Sequence, residues 1–246
     1  RELDVVWNLT LAANAISANV EYGQIAGIEQ LPEVEQVVLE TRYEPQESAA
    51  SEISMPMTAI STQMTGTNLA WQAGYTGAGR RIAVIDTGLD MDHKSFAAAP
   101  EANDNSMTTA DIAAVLGDLN AYRRMNGKLT AEELYYSPKT PFAFNYSDSN
   151  LVTDHSRDSQ GDHGTHVAGI AAANANVEGT EVVGMAPDAQ VIVMKVFGAT
   201  RAGVSDDIVA ALEDAMTLGC DVANLSLGST AGFTSSNTEL DLIYQR

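Results

Sequence analysis

The stretch RRIAVIDTG, Arg80 to Gly88, runs four apolar residues straight into an aspartate and a Thr-Gly turn. A short apolar run closed by a turn reads as a strand buried on both faces. AQVIVMKVF at 189–197 and CDVANLSLG at 220–228 read the same way. Helical patterns lie between these strands. Residues 163–174 are apolar and rich in alanine, and SDDIVAALEDAMTLG, 205–219, has Ser205 at the N-cap, acids in the first turn and Gly219 past the end. Strands alternating with helices predict an α/β fold, a parallel sheet with helices on both faces.

The first 46 residues have another texture. VVWNLTL and ISANVEY predict a strand pair, GQIAGIEQL a short helix ending before Pro32, and VEQVVLETRYEP a last strand. This small α+β unit is too short for a comfortable core of its own, so it is expected to pack on the rest of the chain. Residues 47–63 read as a linker, Ser- and Ala-rich in ESAASEISMPMTAI, and the α/β pattern occupies 64–246. Inside it, about 97–155 is a long polar segment with a helix near TTADIAAVLGDLNAYRRM followed by SPKTPFAFNYSD, which reads as a functional or surface insertion.

Composition removes several classes of function. A net charge of −20 over 246 residues argues against nucleic-acid binding, which needs a basic face. Cys220 is the only cysteine, so there is no internal disulfide and no cysteine-rich metal site; it reads as a small buried hydrophobe. No apolar run is long enough to span a membrane. RELDVVWNLT lacks the basic head and apolar region of a signal peptide, and a start at Arg1 carries the expectation that an upstream segment has been removed.

Ligands of open parallel sheets sit beyond the carboxyl ends of the strands, and that is where Asp86 stands. It is either a cap for the turn or a carboxylate paired with something, because burying it alone is costly. The second candidate is SQGDHGTHVAG, 159–169. His163 opens a helix there and can reach the strand ends. A carboxylate on its Nδ1 would set the tautomer and leave Nε2 to take a proton from a nucleophile. His166, one turn on, cannot serve the same nucleophile and reads as a helix-packing neighbour. Zinc is disfavoured: helical zinc pairs use histidines at i and i+4 with a glutamate between, whereas here the spacing is i, i+3 around Gly and Thr.

AVIDTG around Asp86, HGTHVAG from His163, VVGMAPDAQVIVMKV and ANLSLGS stand in the order seen in the subtilisin-like serine proteases, which this chain resembles over roughly residues 64–246. NAISANVEYGQIAGIEQLPEVEQVVLETRYEP is similar to the later part of the inhibitory propeptide of those enzymes. TPFAFNYSDSN and MKVFG resemble the lactocepin-type cell-envelope proteinases, which implies a secreted or cell-wall-anchored protein of a Gram-positive bacterium. The resemblance implies a subtilisin-like fold, Asp86 as the orienting acid and His163 as the general base. It further implies Ser226, Leu227 and Gly228 as an edge that pairs with the backbone of a protein or peptide substrate, with Phe197 and Gly198 facing it from the other side. No cofactor is required for such chemistry. Structural calcium is compatible with the resemblance, but Ser95 stands where relatives often carry an aspartate, and no metal ligand is assigned.

The family's nucleophile lies in a Gly-Thr-Ser motif, and this sequence has none: Gly-Thr occurs at Gly66, Gly164 and Gly179, followed by Asn, His and Glu. The oxyanion asparagine of an Ala-Gly-Asn phrase is absent as well. The chain reaches IYQR in what reads as a helix capped by Ser236 and Glu239. The expectation is a serine endopeptidase whose Ser and Asn stand in the continuation or on a non-covalent companion chain. The segment Ser54–Ile60 would block the groove in an unprocessed zymogen. The alternative is a catalytically inactive relative that keeps the fold for binding or regulation.

Overall fold

The computed structural model describes residues 3–45, 58–174, 183–199 and 202–228. Most of the expected linker, and the helix expected from Ser236, lie outside the described residues. In the N-terminal unit the elements are β1 (Asp4–Leu9), β2 (Ala15–Asn19), α1 (Ile25–Ile28) and β3 (Arg42–Pro45). Then come α2 (Thr58–Met64), α3 (Thr67–Gln72) and β4 (Arg81–Asp86), followed by α4 (Thr109–Val115), α5 (Asn120–Arg124), α6 (Ala131–Leu134) and β5 (Phe142–Asn145). The remainder is α7 (His163–Ala172), β6 (Gln190–Lys195), β7 (Gly203–Val204), α8 (Ser205–Thr217), β8 (Val222–Asn224) and β9 (Leu227–Gly228).

The main sheet is parallel, in the order β5-β6-β4-β8. Its two central strands are covered on both faces, which is why IAVI and VIVM are continuous apolar runs. Alternate residues point to opposite layers. Val84, Val191 and Val193 pack with Ala168 and Ala172 of α7, while Ala83, Ile85, Ile192 and Met194 join Ile208, Ala211 and Ala215 of α8. Asp86 pairs in register with Lys195, so both stand at the carboxyl edge. Gly219 follows α8 with φ +66°, as its position predicts. The expected cap is displaced: α8 begins at Ser205 itself, and the Ser205 hydroxyl accepts the Thr41 amide instead.

The segment about 97–155 is more than a polar insertion. Its last part is β5, buried throughout and paired with β6. Its helices carry Ile112 and Leu134 into the core and Leu119 joins them from just before α5, and Thr108–Asp111 and Thr130–Glu133 form capping boxes on α4 and α6. FAFN is only four residues long and shows no alternation because both its faces are covered.

The N-terminal unit has the expected antiparallel pair, β1 with β2. The last strand is confined to Arg42–Pro45 rather than running through VEQVVLETRYEP. Among its described residues only Trp7, Leu9 and Ala12 are buried, and Trp7 and Leu9 belong to the core on the α8 side of the sheet. The unit is therefore stabilised by docking. Glu213 of α8 accepts the amides of Leu11 and Ala12 at 2.7 and 2.8 Å, with longer bonds from Thr10 and Ala13.

Asp214, also on α8, is buried and anchors α5. It accepts the amides of Asn120 and Ala121 at 2.6 and 2.9 Å and the hydroxyl of Tyr146 at 2.8 Å. Burial, reinforced by neighbouring Glu213, pushes its carboxyl up to about 7 against those three bonds. Below about pH 4 the carboxyl is protonated in both native and unfolded chains, and above about 7 it is ionised in both. Between these limits the native state alone holds the proton, so this group's contribution to stability falls as pH rises. Urea unfolding between pH 4 and 7 should show a downward slope approaching 1.4 kcal/mol per pH unit from this group, and Asp214→Asn should remove it.

Candidate active site

β4 delivers Asp86 to the carboxyl edge with no exposed surface. Its Oδ1 accepts the Thr87 amide at 2.7 Å and meets Nδ1 of His163 at 2.7 Å. Oδ2 is buried and makes no hydrogen bond among the described residues. His163 is the first residue of α7, and its side chain keeps 14% of its surface exposed. A proton on Nδ1 directed at Asp86 leaves Nε2 as the basic nitrogen. Asp86 and His163 are thus brought together across 77 residues.

The letters around them explain the contact. Gly88 has φ +105°, and a Cβ there would lie 1.8 Å from the Thr153 carbonyl oxygen. At Gly164 a Cβ would lie 2.1 Å from the Gly88 carbonyl oxygen. Thr87 Oγ1 accepts the Gly164 amide at 2.9 Å, and Thr165 Oγ1 accepts the Asp90 amide at 2.8 Å. The Asp-Thr-Gly turn and the His-Gly-Thr helix start are two halves of one contact. His166 differs from expectation. It is exposed, on the side of α7 away from the contact that Gly164 makes with Gly88. Asp162 pairs with His155 at 2.7 Å and not with the base. No group of three or more metal-ligating side chains is present among the described residues.

Lys195 and Asp158 escape the sequence reading. Both side chains are buried, and Nζ lies 3.0 Å from Asp158 Oδ2 while donating to the Thr87 carbonyl. The pair ties the loop before His163 to β6 and to the aspartate turn. The available signal is a lone lysine in the run VIVMKVF.

Leu227 and Gly228 form β9, following Ser226, whose hydroxyl donates to Asn224 Oδ1. This edge is occupied. β3 runs antiparallel between β7 and β9, with Tyr43 opposite Gly203, Glu44 opposite Gly228 and Pro45 opposite Leu227. The opposite rail is therefore Gly203–Val204. Phe197 is wholly buried behind it, close enough that a Cβ on Gly203 would meet its ring at 2.6 Å. Gly198 closes against the Asp148 carboxylate and gives its carbonyl to Gln160. The described segment filling this edge is Arg42–Pro45; the expected one is Ser54–Ile60. Of the latter, Thr58–Ile60 begin α2 and the others lie outside the described residues. Cys220 is only partly buried, with its thiol pushed up to about 12 by desolvation.

The model of the subtilase family matches residues 77–245. The chain is 32% identical over 226 residues to a PI-type proteinase of Lactococcus lactis subsp. cremoris, covering 89% of this chain and 11% of that protein. It is 29% identical over 224 residues to the minor extracellular protease Vpr of Bacillus subtilis, covering 88% and 23%. With subtilisin E of Bacillus subtilis the identity is 31% over 168 residues, covering 68% and 32%. The chain thus spans about a tenth of the length of the lactococcal relative.

Glycine substitutions in α7 separate contact from propensity. Gly164→Ala should destabilise by about 3 kcal/mol or more by driving a Cβ into the Gly88 backbone. Gly169→Ala, which meets nothing within 4 Å, should be neutral or stabilising by up to about 1 kcal/mol. Chemical unfolding of the two variants checks the contrast.

Proposed function

The chain belongs to the subtilase family, and from that premise we propose that it supplies the acid and base of a serine endopeptidase, with an inhibitory N-terminal segment in place. Two observations together carry this reading: a buried Asp86 hydrogen-bonded to His163, and a strand edge, β9, already filled by an antiparallel segment. In the reaction, a serine hydroxyl passes its proton to His163 Nε2 as its oxygen attacks the peptide carbonyl. Asp86 stays ionised and holds the imidazolium, which then protonates the leaving amine. The serine and the oxyanion asparagine come from polypeptide beyond Ser-Leu-Gly, in the continuation or on a companion chain.

Substrate backbone would take the place of β3, bonding along Leu227–Gly228 on one side and Gly203–Val204 on the other. Such main-chain recognition suits proteins and peptides broadly. Residues 3–45 act as a propeptide remnant: β3 mimics substrate while β1 and β2 grip α8. The name of the Bacillus subtilis extracellular protease supports a secreted protein; its anchoring to a Gram-positive cell wall is part of the proposal.

The test is a fluorophosphonate probe applied to the full-length protein at neutral pH, with and without the N-terminal segment. Labelling should land on a downstream serine, rise when residues 1–46 are removed, and fall by roughly 10⁴-fold or more in His163→Ala. No labelling after removal of the segment would make the chain part of a binding protein that retains the fold.

A further inference from the structure

Trp7 and Leu9 are the only large side chains that the N-terminal unit buries among its described residues. Trp7 is held by more than apolar contact. Its indole N–H donates to Asp207 Oδ1 at 2.9 Å. Its ring lies 6.0 Å from that of Tyr146, and the Arg124 guanidinium sits 5.6 Å from its centroid. These three residues come from separate parts of the peptidase body: Arg124 ends α5, Tyr146 follows β5, and Asp207 is in the first turn of α8. None belongs to the catalytic pair or to the paired edge.

The walls are braced independently of the indole. The Tyr146 hydroxyl donates to Asp214, and its ring packs edge-on to Phe144 at 5.0 Å. Arg124 Nε donates to Ser149 at 3.0 Å. A site fixed by its own bonds loses little freedom when occupied. Its chemistry is also selective. Asp207 is wholly buried, so phenylalanine would remove one of its donors, and the tyrosine hydroxyl would fall at a different point of the ring. Tryptophan also gives the strongest face for a guanidinium.

We propose that Arg124, Tyr146 and Asp207 form an indole-binding exosite, separate from the catalytic pair, by which the peptidase body selects and holds the segment carrying Trp7. The helical segment 109–134 gains a role here, because α5 supplies the cation. The proposal rests on reading residues 3–45 as a detachable segment, yet holding that segment does not require that it inhibit.

The experiment is amide hydrogen exchange on the full chain, read at Leu11 and Ala12, whose amides bond to Glu213, and at Ile192 and Val193 in β6. Trp7→Phe should lower protection at Leu11 and Ala12 about tenfold, and Trp7→Ala about a hundredfold. Arg124→Ala should lower it several-fold. Protection at Ile192 and Val193 should stay unchanged in all three. Unchanged protection at Leu11 and Ala12, or loss in step with β6, would overturn the exosite and leave Trp7 as ordinary core. A second measurement uses the full chain with a cleavable sequence between Gln46 and Met57. After cutting, the wild-type segment should co-elute with the body on size exclusion and the Trp7→Ala segment should separate; co-elution of both would also overturn it. If the exosite results hold but the released segment leaves the peptidase rate of the full-length protein unchanged, the inhibitory reading fails and the exosite stands.

Discussion

The hydrogen bond between Asp86 and His163 is the constraint on which this architecture turns. A carboxylate with no exposed surface is tolerable at a strand end only if donors meet it, and here they are the Thr87 amide and the imidazole. To bring that imidazole to it, α7 must start against the Asp-Thr-Gly turn. Close approach then requires glycine on both sides of the contact, at Gly88 and Gly164. The loop before His163 must also be held, which Lys195 and Asp158 do from β6. The parallel sheet brings strand ends to one edge, and the bond uses that edge.

The same logic of acceptors meeting donors runs along α8. That helix carries four of the chain's 33 acidic residues, Asp206, Asp207, Glu213 and Asp214, and three of them are built in. Asp207 takes an indole, Glu213 takes a loop of amides, and Asp214 takes the start of α5. The N-terminal unit has almost no core of its own and is held at places far apart in sequence: the rails beside β3, the amides on Glu213 and the socket of Trp7. Main-chain pairing along β3 says little about side chains, whereas the indole socket is particular about them. General pairing at the edge and selective holding at a distance can coexist in one segment for that reason.

How much of this was legible in the letters depended on range. The runs IAVI and VIVM declare buried parallel strands because both faces are apolar, and the Asp-Thr-Gly and His-Gly-Thr phrases declare their contact because steric limits there admit few residues. FAFN was hidden because four buried residues without alternation look like part of a polar loop. The rail at Gly203–Val204 is hidden because two residues carry no period, whereas Phe197 ends a long apolar run and yet is buried behind the rail. The roles of Trp7, Glu213 and Asp207 depend on pairings some 200 residues apart, which no local pattern records. The position of His166 one turn after His163 suggests packing, but spacing does not tell which side of a short, partly exposed helix meets the core.

The central claim is that Asp86 holds His163 in one tautomer, with the proton on Nδ1 and Nε2 left basic. Proton NMR with ¹⁵N-labelled histidine tests it most directly. The account predicts a low-field, slowly exchanging proton on His163 Nδ1 that disappears in Asp86→Ala. A His163 that carries its proton on Nε2, or whose spectrum is indifferent to that substitution, would contradict it.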